Sequence, residues 1–508
     1  MGFINDIYVI SGDTPTTGDY LVRFIDFDGT ILKQQWVNNG DSATAPTPPT
    51  HDLLTFQEWN NDYDNITHDL DVGATYYTTD GKTYLFMRFT NTTGLQPTIY
   101  LNKADTSLMT VTWGDGTSQT TSASGNVAIT KTNPYAAIGD YTGAIECAGG
   151  WYLYTSLFNN NTLYNSCLTK CYLGNHVTRL MSNALGKQNN LEYVVFPNSC
   201  ELYATSDSIF SYCLRLQAII IPSNITILAN YSFTSCHLLK IVSLPEGLIE
   251  IGSRVFEACY ALESIILPST MELIGSQSFY KCYSLTKITN NSEILVWGAS
   301  YTMDLCYALK NMSNFNNGTN SLTQCFGRCP NLEDISISTE TTNISTSAFY
   351  ECMSLKTITI PYKVSNIGIY GFQNCFSLLK YLLLPTTPPT LADINAFTGI
   401  NLACKMYVPD ASLVDYQGAT NWITYANYFY PISELPEYDG TIFFQSNGGN
   451  AIKQITGTVG AVSTEPTAPT KAGFTFDGWY KDAGLTTAWN WATDVYPATN
   501  LTLYAKWI

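Results

Sequence analysis

From Leu168 to beyond residue 380, apolar residues recur neither at the helical spacing nor in simple alternation, but with a period of about 23. LESIILPSTMELIGSQSFYKCYS, LKTITIPYKVSNIGIYGFQNCFS and LKIVSLPEGLIEIGSRVFEACYA carry the same pattern. Repeat starts are read at Leu168, Leu191, Leu216, Leu239, Leu262, Leu285, Leu309, Leu332, Leu355 and Leu379. Within a repeat, L-x-x-I-x-I-P predicts a strand whose alternate residues point inward, such as Leu262, Ile265 and Leu267, and which ends at Pro268 for want of an amide. A second apolar row (Leu228, Ile251, Ile274, Ile344, Ile367) and an aromatic row (Phe233, Phe256, Phe279, Phe326, Phe349, Phe372) predict two further walls. Equivalent residues would then stack into ladders, burying a core that one repeat alone lacks. Asn291 and Phe315 stand where Pro is expected, which predicts a bulged section in the repeats from Leu285 and Leu309.

With inward positions assigned, the residues one, two and four places after each leading Leu face outward. Tyr193, Gln217, Lys240, Glu263, Lys287, Lys310, Glu333, Lys356 and Tyr381 form a mixed-charge strip with aromatic ends, the candidate surface for a protein or glycan.

Both ends of the chain show short alternating strands around a Pro/Thr connector. Leu21 to Trp59 aligns without a gap on Thr441 to Trp479, with 13 identities in 39 positions, which is an internal duplication. Between the first copy and the repeats, TYLFMRFT, LMTVTWGDG and NVAITKT predict an all-β domain. Its Asp115, in a W-G-D-G turn, is read as a backbone cap.

Composition narrows the function classes. A net charge of −17, from 24 basic and 41 acidic residues, disfavours nucleic acid and anionic lipid. The first twenty residues show no secretory signal, and no apolar run reaches the roughly 20 residues that span a bilayer. Eight of the 14 cysteines (Cys213, Cys236, Cys259, Cys282, Cys306, Cys329, Cys352, Cys375) recur once per repeat, which predicts a ladder of free thiols. Cys167/Cys171 and Cys325/Cys329 lack zinc-site company, and the acidic cluster Asp62, Asp64, Asp69 and Asp71 does not reproduce an EF-hand loop.

The repeat pattern, closing with I-G-x-x-A-F-x-x-C-x-S, resembles the BspA-like leucine-rich repeats of bacterial surface proteins, and CKMYVPDASLVDYQGATNWITYANYFYPI resembles that family's terminal cap. EPTAPTKAGFTFDGWYKDAG resembles the Listeria-Bacteroides repeat, a small β-grasp-like module; the N-terminal copy departs from it where FQEWNND replaces FDGWYKD. WGDGT resembles the turn of PKD-type immunoglobulin-like domains. FIDFDGT resembles the haloacid dehalogenase signature, which would make Asp26 a nucleophile and Asp28 an acid/base. The second copy carries Ser446 and Gly448 there, and no crossover helix follows, so a hairpin turn is the expectation.

The fold expected is mainly β and multi-domain: an N-terminal arm (1–17), a β-grasp-like copy (18–77), an immunoglobulin-like sandwich (78–156), a capped leucine-rich repeat solenoid (157–437) and the second copy (438–508). No catalytic, cofactor or metal site is expected, and no membrane insertion. The sequence favours a non-catalytic adhesive virion protein binding a host surface or neighbouring virion proteins, with a bacterial cell-surface adhesin binding host protein or glycan as the alternative.

Overall fold

The computed structural model describes residues 19–90, 95–158, 167–202, 206–292, 295–298, 300–315, 321–435, 439–450, 452–458, 462–482, 484–494, 496 and 501–508. The arm expected at 1–17 lies outside them. The chain forms two compact units, Met1–Leu248 with Ser264–Thr270, and Ile249–Glu263 with Met271–Ile508.

The first unit begins with a four-stranded sheet in the order β2-β1-β4-β3, made of β1 (Asp19–Ile25), β2 (Ile31–Asn38), β3 (Leu54–Trp59) and β4 (Leu70–Thr78). β1 runs antiparallel to β2 and parallel to β4, which is β-grasp connectivity with the extended Pro/Thr connector in place of a helix. Val22, Phe24 and Val72 form its buried face, closed by the edge of Trp59, 5.1 Å from the Phe24 ring. In the second unit, strands Asp439–Gln445, Ile455–Thr458, Phe476–Tyr480 and Leu501–Trp507 repeat the same order and directions around Trp479. The duplication read from the sequence is therefore a duplicated fold.

The predicted sandwich comprises β5 (Thr83–Phe89), β6 (Thr98–Lys103), β7 (Met109–Thr112), β8 (Ser118–Thr121), β9 (Gly125–Thr130), β10 (Gly139–Cys147) and β11 (Trp151–Leu153) in two sheets. Trp113 and Trp151 are buried, and the Tyr135 hydroxyl donates to the Trp113 carbonyl at 2.7 Å. Asp115 accepts from the Thr117 amide at 3.0 Å, as its turn requires, and also pairs at 2.6 Å with Lys131, a fully buried cation that composition gave no reason to expect. Neither sheet stops at residue 156. β5 pairs antiparallel with β12 (Leu168–Tyr172), and β11 pairs parallel with β13 (Val177–Leu180), so the sandwich continues into the first coil. A Cβ on Gly174 would lie 2.1 Å from the Gly81 carbonyl oxygen, so only glycine fits this seam.

Each coil then adds a short strand to each of two parallel ladders. In the first unit Ala218–Ile220 pairs with Ile241–Ser243; in the second, Thr357–Ile360 pairs with Lys380–Leu383 and Asn343–Ile344 with Asn366–Ile367. The aromatic row stacks as rings: Phe210 on Phe233 at 5.2 Å in the first unit, and Phe326, Phe349, Phe372 and Phe397 at 5.6, 5.2 and 5.4 Å in the second. The bulge expected near Phe315 is present as a register shift between Asn311–Phe315 and Asp334–Ile337. The stack ends under α1 (Leu413–Gly418) and Trp422, whose indole N–H donates to the Pro389 carbonyl at 2.7 Å.

All 14 cysteines are buried. The structure supplies a reason for the ladder beyond its size: each thiol reaches a main-chain carbonyl of the preceding coil. Cys213 meets Leu185 O and Cys236 meets Phe210 O; in the second unit Cys282, Cys329, Cys352 and Cys375 meet the carbonyls of Phe256, Met303, Phe326 and Phe349, each pair 3.1–3.3 Å apart. A weak S–H donor thus satisfies a buried acceptor that a hydrocarbon would leave unpaired. Burial pushes the thiols of Cys213 and Cys375 up to about 12. The native protein at pH 8 should therefore leave these thiols unreacted with Ellman's reagent, with full reaction only in denaturant. Rapid native labelling of Cys213 or Cys375 would contradict the packing.

One repeat start is corrected. Leu378, not Leu379, is the buried leading residue, and Leu379 is 49% exposed. Tyr381 consequently falls on the inward position three places on; it is 0% exposed, 5.4 Å from the Phe397 ring, and does not belong to the outward strip.

Candidate functional site

The outward strip meets different fates in the two units. In the first, the N-terminal sheet lies over it. The outward residues Ala218, Ile220 and Ser243 are buried, because Gly73 of β4 packs so closely that a Cβ there would stand 2.4 Å from Ile220 and 3.0 Å from Ser243. Asn60 donates to the carbonyl of Ile221 at 2.9 Å, and Asn61 to that of Leu244 at 2.8 Å. These asparagines are two of the four residues by which FQEWNND departs from FDGWYKD, and they replace Tyr480 and Lys481. The departure is the docking chemistry. Glu246 ties the same interface together, meeting His68 at 3.1 Å and the Ser269 hydroxyl at 2.7 Å. Burial alone would raise its pKa, but these partners outweigh it and hold the carboxyl below its ordinary value. Of the predicted strip, Lys240 stays exposed, Gln217 is half-buried, and Tyr193 turns toward the N-terminal sheet, 6.3 Å from the Phe27 ring.

In the second unit the strip is open. Glu263, Lys287, Lys310 and Lys356 are exposed, and half-buried Glu333 pairs with Lys356 at 2.6 Å. Beside it runs a row that the sequence reading passed over, the residue directly after each ladder cysteine, which in this unit is Tyr, Met or Phe except for Pro330 after Cys329. Tyr260, Tyr283 and Tyr307 stack at 4.8 and 4.9 Å with their rings within 8° of parallel. Tyr307, Met353 and Phe376 are each 40–50% exposed, as is Leu379. The signal was present, since Cys-Tyr, Cys-Tyr, Cys-Tyr, Cys-Met and Cys-Phe can be read from the rows; attention to the strand alone missed it.

The acidic groups singled out earlier hold structure. Asp71 makes a two-pronged pair with Arg23, both contacts 2.7 Å, while Asp69 caps the Leu21 amide and Asp62 that of Asp64. Asp26 is buried, accepts from the Phe27 amide and meets His51 Nε2 at 2.8 Å; Asp28 caps Thr30. The FIDFDGT segment is the β1–β2 hairpin turn.

Residues 156–286 and 250–379 match the BspA type leucine rich repeat region, in six copies, and residues 20–86 and 441–506 match the Listeria-Bacteroides repeat domain. Over 126 residues, 24% of this chain and 22% of the relative, the sequence is 34% identical to Internalin H of Listeria monocytogenes. Over 87 residues, 17% of this chain and 9% of the relative, it is 42% identical to a putative Gly-rich membrane protein of Evansella cellulosilytica. The chain thus spans less than a quarter of the length of these relatives. Among solved structures, a leucine-rich repeat protein of Bacteroides ovatus is 26% identical, covering 52% of this chain and 65% of that one with a TM-score of 0.42. A leucine rich cell surface protein of Faecalibacterium prausnitzii is 22% identical, covering 55% and 86% with a TM-score of 0.33.

Proposed function

For a chain that carries BspA-type leucine-rich repeats and a Listeria-Bacteroides repeat domain towards each end, we propose a role as a bacterial cell-surface adhesin that binds a protein partner. The observation that carries this reading is the row in which half-buried Tyr260 and Tyr283 lead to exposed Tyr307, Met353 and Phe376, beside the open charged strip of the second unit. Tyr, Met and Phe are the residue types enriched at the centres of protein interfaces, and paired charges such as Glu333 and Lys356 suit an interface rim. The virion role expected from the sequence gives way, because the matched repeats and the internalin relative support the cell-surface alternative.

The test is binding of the full chain to epithelial cells and to immobilised extracellular-matrix proteins. A Tyr307→Ser/Phe376→Ser double variant should fold with an unchanged circular dichroism spectrum and bind at least tenfold more weakly. Equal binding by variant and wild type would remove the row from the interface.

A further inference from the structure

A cleft of about 700 Å³ opens in the first unit. Its aromatic lining is Phe27, Phe86, Tyr172 and Tyr193, and its polar lining includes Asp28, Asp52 and Lys170, whose ammonium lies 5.8 Å from the centre of the Tyr193 ring.

The duplication offers an internal comparison for the N-terminal side of this cleft. Phe27, Asp28, His51, Asp52 and Leu53 correspond to Asn447, Gly448, Lys471, Ala472 and Gly473, while the flanking Gly29/Gly449 and Thr50/Thr470 are the same. The turn is common to both copies, for the Leu54 amide donates to His51 O and the Phe474 amide to Lys471 O. Residue 53 and residue 473 are both left-handed, at φ 67° and 79°. Glycine adopts that conformation freely, whereas a leucine is strained in it. The first copy therefore keeps a strained leucine where its own fold is satisfied by glycine, and the side chain so held lines the cleft. His51 fixes this turn through Asp26 at 2.8 Å and through its edge contact with Phe27 at 4.9 Å, so both act as positioning residues.

We propose that this cleft binds a neutral oligosaccharide. The aromatic surfaces cover the C–H faces of a sugar ring, Asp28 and Asp52 accept from its hydroxyls, and Lys170 donates to them. A cationic ligand would meet Lys170, and an anionic one would meet two carboxylates; a ligand rich in donors and acceptors but without charge satisfies all three groups. This site is separate from the exposed row of the second unit.

The test is an array of neutral and acidic oligosaccharides probed with the full chain, followed by calorimetry with the strongest neutral hit. Tyr193→Ala and Asp28→Asn should each weaken binding at least tenfold. Leu53→Gly should melt at the same temperature or higher, since it relieves the strained turn, yet bind several-fold more weakly. Tyr307→Ser/Phe376→Ser should leave saccharide affinity unchanged, which separates this proposal from the protein-binding one. Retention of no neutral saccharide, preference for acidic ones, or unchanged affinity in all three cleft variants would overturn it.

Discussion

Phe349→Ala should lower unfolding stability by about 3–5 kcal/mol, at the upper end for a core truncation. The ring is fully buried and has a parallel neighbour on each side, Phe326 at 5.6 Å and Phe372 at 5.2 Å, so no adjacent side chain can swing in to fill the void. Its carbonyl receives the Cys375 thiol, and its amide donates to Gly371 O at 2.8 Å, so slack in one coil disturbs the next. In a solenoid each coil is stabilised largely by its neighbours, and a defect in one weakens two junctions. Urea unfolding followed by circular dichroism should show the midpoint falling, with a broadened transition. A loss below about 1 kcal/mol would mean that the stacked rings are not what holds the coils in register.

Gly73→Ala should release the N-terminal sheet from the coils it covers. The added carbon would stand 2.4 Å from Ile220 Cγ2, inside a contact sealed by Asn60 and Asn61, and overpacking of this kind costs about 1–3 kcal/mol. Limited proteolysis should then clip the chain near residues 79–82 while the coils survive. Pairing the change with Ile220→Ala vacates the space and should recover much of the loss, a coupling that distant sites do not show. Additive effects in the double variant would disprove the direct contact.

Much of this architecture is written in the sequence because a repeat states each rule many times. The inward residues Leu262, Ile265 and Leu267, the Phe row and the cysteine row all lie where their spacing puts them, buried. The slip at Tyr381 shows where repetition is ambiguous: FSLLKYLLL offers adjacent leucines, and the first strand tolerates either start. The spacing that resolves it was available, since every ladder cysteine precedes its leading leucine by three, as in Cys352 and Leu355, and Cys375 therefore points to Leu378. Contacts between distant segments were less legible. That Gly73 faces Ile220, or that Asn60 reaches Ile221, depends on docking between pieces some 150 residues apart, for which no periodicity speaks. The cleft has the same origin: Phe27, Phe86 and Tyr193 come from three separate stretches, and each alone reads as ordinary core.

The tyrosine stack also works as a ruler. Successive rings at 4.8 and 4.9 Å mean that inserting or deleting one whole coil in the interior would change the reach of the exposed row by one such step while leaving the chemistry of its ends untouched. Footprint length is then set by counting repeats, in increments of about 23 residues, and a partner of different size can be matched without redesigning a single contact.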